Sequence, residues 1–115
     1  MVHSIHIEGN SLSGGSETLR ELFHWFMREY LENYSVDVEM VFMDLSDEGV
    51  DGWCIRNSDY EFEIQIDEKL SGEELMKVGC HELYHLMQHL LDVPRCEICA
   101  YLSEKINLDK FSNHE

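Results

Sequence analysis

The feature that most constrains the fold is a change of period between Tyr60 and Leu91. Tyr60, Phe62, Ile64 and Ile66 alternate with Glu61, Glu63, Gln65 and Asp67, which predicts a strand with one apolar face. Ser71 then opens a helix, and Glu74 three residues on completes a capping-box pattern with it. The helix is expected to run to about Leu91. Pro94, the only proline, marks the break after Asp92.

The flanking segments fit around this strand–helix unit. Residues 3–8 alternate weakly and predict a first strand. Asn10 to Ser16 is Ser/Gly-rich and reads as a loop, with Ser16 as the helix N-cap. Leu19, Leu22, Phe23, Phe26 and Tyr30 recur at helical spacing, so a helix is expected from about Glu17 to Glu32. Val36 to Leu45 predicts a strand, apolar on both faces around Met40 to Met43 as a central strand would be. Ser46 to Gly52 is a turn signal, and Trp53 to Arg56 a short strand. A last helix is expected from about Arg95 to Ile106. The order predicts one α+β domain over residues 1–115. Its small mixed sheet carries an N-terminal helix and a motif-bearing helix on one face, with a C-terminal helix added.

Charge narrows the partners. The chain carries 24 acidic against 8 basic residues, a formal charge of -16. That disfavours nucleic-acid backbones and anionic membranes as partners. It favours basic peptides or proteins, whose local concentration the field raises, although acid content also simply keeps a small protein soluble. No apolar run approaches the ~20 residues that span a bilayer. The N-terminus shows no signal-peptide pattern, so a cytoplasmic protein with reduced cysteines is the expectation.

The chemistry sits at His81-Glu82-Leu83-Tyr84-His85, an H-E-x-x-H pattern within the predicted helix. Residues four apart lie one turn apart on the same face, so the two imidazoles can share one tetrahedral zinc ion. Glu82 lies about 100° around the helix from His81. There it is expected to contact a zinc-bound water, not to ligate the ion. A third protein ligand is needed. His89 is on the same face, but three histidines along one straight helix span about 12 Å, too far for one ion. It is therefore expected at the surface or behind the ligands. Glu97, just past the Pro94 break, would be folded back toward the histidines by a helix hairpin. Glu104, two turns further on, is the alternative. Cys96 and Cys99 form C-x-x-C, which raises the alternative of a closed Cys2His2 zinc site. Inside a helix, that spacing is also ordinary core packing. Cys54 and Cys80 read as buried small apolar residues.

His81-Glu82-Leu83-Tyr84-His85 followed by Glu97-Ile98-Cys99-Ala100-Tyr101 resembles the zincin metallopeptidases, and more narrowly the short gluzincin-like enzymes of phages and bacteria. The likeness covers about Phe62 to Ile106. It implies zinc ligation by His81, His85 and Glu97, with Glu82 as general base in peptide hydrolysis. It also implies that Tyr60 to Asp67 is the edge strand that pairs with an extended substrate, and the acids of that strand would favour a basic segment near the cleavage site. The chain departs from the metzincins, having Gln88 and Leu91 where they carry Gly and His. It departs from the larger gluzincins, having Tyr101 where an Asp orients the site. Tyr101 and Tyr84 are the residues available to stabilise an oxyanion. The competing expectations are a zinc-stabilised binding or regulatory module with a zincin-like fold, and an acidic mimic of nucleic acid.

Overall fold

Hydrogen-bond register defines a sheet with one buried apolar face. The computed structural model describes residues 2–9 and 14–113. Its elements are β1 (His3–Glu8), α1 (Ser16–Tyr30), β2 (Val36–Met43), β3 (Gly52–Ser58), β4 (Glu61–Asp67), α2 (Gly72–Leu90) and α3 (Glu97–Ser112). The four strands lie in the order β1-β2-β4-β3. β1 pairs with β2 and β2 with β4 in parallel, while β3 runs antiparallel to β4. The protein is thus an α+β fold with a mixed sheet.

Val36, Val38, Met40 and Phe42 of β2 and Phe62, Ile64 and Ile66 of β4 form the floor of the core. Leu19, Leu22, Phe23, Phe26 and Met27 of α1 and Leu75, Cys80, Leu83 and Leu86 of α2 close it from above. Burying a side chain of this size contributes roughly 1.5–3 kcal/mol. The opposite face of the sheet meets solvent. β2 is central as expected, but Met43 is exposed and Val41 half-buried, so its apolar character does not continue to a second covered face. No helix among the described residues is long and apolar enough to cross a membrane.

α1 and α2 approach closely because Gly79 has no side chain. A Cβ there would lie 2.8 Å from Leu19 Cδ2 and 3.0 Å from Leu22 Cδ2, both in fully buried side chains. Gly79→Val is expected to lower stability by about 2 kcal/mol or more through overpacking. Urea unfolding measures this, and an unchanged midpoint would refute the close-approach argument.

Helix starts differ from expectation in two places. Gly15, at φ 106, takes the N-cap of α1, and Ser16 is the first helical residue. Residues 10–13 of the expected loop lie outside the described residues. Ser71 is the N-cap of α2, but its side chain makes no capping bond. Gly72 follows at φ 53, which redirects the chain just where the box would close, and Glu74 instead faces Lys77 at 3.8 Å. The strand order also corrects an expectation. β4 lies inside the sheet between β2 and β3, so Tyr60 to Asp67 is not an edge. The edge on that side is β3.

Candidate metal centre

The turn between α2 and α3 sets the site. α2 ends as Asp92 adopts φ 54, and Val93 N–H donates to the Gln88 carbonyl at 3.1 Å. Arg56 of β3 holds this corner, donating to the His89 carbonyl at 3.1 Å and pairing with Asp92 at 3.7 Å. Pro94 follows, and Cys96 becomes the N-cap of α3, its sulfur accepting from Cys99 N–H at 3.2 Å. Glu97 is therefore the first residue of α3, and it lies over the middle of α2.

Three side chains converge there. His81 Nε2 lies 3.0 Å from Glu97 Oε2 and 3.2 Å from His85 Nε2. His85 Nε2 lies 2.9 Å from Glu97 Oε1. Among the described residues, His81, His85 and Glu97 form the group able to share a metal ion. Glu104, the alternative ligand, meets His81 on the other side of the ring, with Nδ1 to Oε2 at 2.7 Å. His85 Nδ1 meets Gln88 Oε1 at 2.8 Å.

These outer contacts determine which nitrogens carry protons. The orientation of the Gln88 amide is set by Cys96, whose N–H donates to Oε1 at 3.5 Å and whose carbonyl accepts from Nε2 at 3.4 Å. Gln88 Oε1 and the Glu104 carboxylate both accept, so each imidazole carries its proton on Nδ1. In neutral rings both Nε2 atoms then present lone pairs to one another and to the Glu97 carboxylate, and a cation shared among them, a metal ion or a proton, relieves the repulsion. Burial lowers the pKa of His85, which keeps that imidazole neutral as a ligand requires. The separations of 2.9 to 3.2 Å are close to the roughly 3.3 Å between donors around a tetrahedral ion with bonds of about 2.0–2.1 Å. The donor set therefore fits a metal ion. The two outer contacts are the orienting partners typical of ligating histidines. Glu104→Ala and Gln88→Ala are each expected to weaken metal binding by about 10–100-fold with the fold intact. Competition against a calibrated chelator reads this, and unchanged affinity in both variants would show that the outer bonds are incidental.

Glu82 is 4% exposed, and its Oε1 has no hydrogen-bond partner. Burial raises its pKa to about 7, opposed by His81 and Arg95. It sits under the start of β3 because Gly52 lacks a side chain. A Cβ there would lie 3.1 Å from Glu82 Cγ and 3.0 Å from Val78 Cγ1. Arg95 grips Glu97 Oε1 at 2.9 and 3.2 Å. Burial pushes the Glu97 carboxyl up, but the Arg95 guanidinium, and the two imidazoles when they donate to it or carry charge, more than offset it and leave the pKa below the ordinary value. A cavity of about 490 Å³ opens over the group, lined by Gly52, Trp53, Glu82, Arg95 and Tyr101 among others. The Tyr101 ring packs edge-on against His81 at 5.1 Å between centroids.

The structure thus brings His81, His85, Glu97 and Glu82 together. It leaves His89 out, with its ring 6.1 Å from Phe62. Cys96 and Cys99 do not join the donors. They are also not core residues as a mid-helix reading expects, because α3 starts after Cys96 and Cys99 is exposed. Sequence reasoning missed Gln88 as an orienting group, although it lies three residues after His85 on the same face. It also missed Arg95 and Gly52, for which no local signal exists. No protein family, curated protein or solved structure matches the chain.

Proposed function

We propose that the protein is a zinc-dependent metallopeptidase of zincin type. The observation that carries this reading is the convergence of His81 Nε2, His85 Nε2 and Glu97 on one point beside the buried, unpartnered Glu82 carboxyl. A structural zinc is usually closed by four protein ligands, whereas a catalytic one keeps three and leaves a position open. Three donors and an idle carboxyl favour the enzyme over a binding module.

Zinc, when bound, supplies Lewis acidity that polarises a carbonyl oxygen and acidifies water. The chain's own residues do the rest. His81 and His85 are fixed in orientation by Glu104 and Gln88. Glu82 takes the proton of the attacking water and passes it to the leaving amine, for which a pKa near neutrality suits both transfers. β3 borders the cavity through Gly52 and Trp53, so its free edge is the place for an extended peptide to add as a further strand. Tyr101 is the polar group available to an oxyanion.

The net charge of -16 favours substrates with basic segments. With zinc supplied at low ionic strength, a Lys/Arg-rich unstructured peptide is expected to be cleaved faster than an acidic one, and a chelator to stop both. Added salt should narrow the gap. No cleavage of either peptide by zinc-loaded protein would overturn the proposed activity, and equal rates would refute the charge preference alone.

A further inference from the structure

The four cysteines divide sharply. Cys54 and Cys80 are buried, and burial pushes both thiols up to about 12. Cys96 is half-buried and Cys99 exposed. These two sit three residues apart at the start of α3, with the sulfur of Cys96 already turned onto the Cys99 N–H at 3.2 Å.

Cys96 is joined to the metal ligands by two short routes. Glu97 is the next residue in the chain. The Cys96 N–H and carbonyl both bond the Gln88 amide, whose Oε1 meets His85 Nδ1 at 2.8 Å. Any movement of the Cys96 backbone is therefore felt at a ligand on α3 and at the orienting group of a ligand on α2.

We propose that Cys96 and Cys99 are a thiol–disulfide exchange site, and that closing it with a low-molecular-weight disulfide weakens the metal centre. One protein sulfur attacks the small disulfide as its thiolate, forming a mixed disulfide and releasing one small thiolate. The other protein sulfur then displaces the second small thiolate, closing the Cys96–Cys99 bond. The two protons that leave the protein thiols end on the two released thiols. The protein is oxidised by two electrons, and the small disulfide is reduced by the same two.

Geometry supplies the coupling. Cys96 is the N-cap, with extended backbone at φ -132 and ψ 108, and Cys99 lies in the first turn of α3. Closure ties these two residues together and removes the Cys96 sulfur from the N–H it caps. Ligand distances in metal sites fall within about 0.2 Å of their ordinary values, so displacing Glu97 disfavours the bound ion.

The inference rests on the metal-centre reading above, and the test separates the two. Metal-free protein is equilibrated in buffers of reduced and oxidised glutathione, and closure is counted by the loss of two hydrogens in the intact mass and of two alkylatable thiols. Zinc affinity of the open and closed forms is then measured by chelator competition. The expected result is reversible closure, at least tenfold weaker zinc binding when closed, and recovery on reduction with a phosphine. Cys99→Ser, which keeps the Cys96 cap, should bind zinc like the open form and, in oxidised glutathione, gain at most one glutathione as a mixed disulfide and never lose two hydrogens. Failure of the pair to close in any buffer, or closed protein binding zinc as tightly as open, overturns the proposal while leaving the metal centre standing. Failure of both forms to bind zinc overturns the metal centre, and this coupling with it.

Discussion

Replacing Glu82 by Gln is expected to leave zinc in place and to cut peptide hydrolysis by about 10²–10⁴-fold, the usual contribution of a general base. Gln keeps the shape and one acceptor oxygen but cannot take a proton. Zinc stays because the converging donors are His81, His85 and Glu97, not Glu82. The same variant should also make the metal-free protein more stable at alkaline pH. Burial raises the Glu82 pKa from 4.5 to about 7, so between those values the folded chain keeps a proton that the unfolded chain has released. Stability therefore falls as pH rises from about 4.5 to 7 and stays low above it. Removing the ionisable group recovers on the order of 2–3 kcal/mol at pH 8 and little below pH 5. Urea unfolding of both metal-free proteins at the two pH values reads this, alongside single-turnover cleavage with zinc loaded. Wild-type cleavage rates in the variant would eliminate Glu82 as the base. Equal stabilities at pH 8 would mean that the carboxyl is solvated in solution.

His85→Ala should abolish tight zinc binding, by at least about a hundredfold, whereas His89→Ala should change it less than twofold. His85 is fully buried, and its Nε2 lies within 3.2 Å of both His81 and Glu97. Removing the ring leaves two donors, too few for a tight site, and opens a hole in the helix hairpin. His89 lies one turn further on the same helix, and its backbone carbonyl accepts from Arg56 and from Asp92 N–H. Its ring rests near Phe62, so the variant perturbs packing and not ligation. Isothermal titration with zinc separates the cases. Loss of binding in both variants, or in neither, would mean that the ion sits elsewhere.

Local pattern made the elements legible, and tertiary pairing hid the rest. The alternation at Phe62, Ile64 and Ile66 identifies a strand and its inner face, and both are observed. Alternation carries no information about neighbours, so the place of β4 between β2 and β3 could not be read from it. The H-E-x-x-H spacing brought His81 and His85 to one face because helix geometry is fixed over so short a span. Glu97 was legible because Pro94 marks the turn. The role of Glu104 was not, because α3 reverses the usual rule. It buries Ala100, Ser103 and Asn107 while Ile98, Leu102 and Ile106 stay exposed. Small and polar residues let α3 lie close to α2 and bring Glu104 to His81, an orientation that hydrophobic periodicity would not choose.

The uncovered side of the sheet has a consequence for self-association. On it, Asp37 stands opposite Glu61 and Glu39 opposite Glu63 across the β2–β4 ladder. Like charges so placed cost the sheet a few tenths of a kcal/mol each. Two such faces carry like charge and repel when molecules meet.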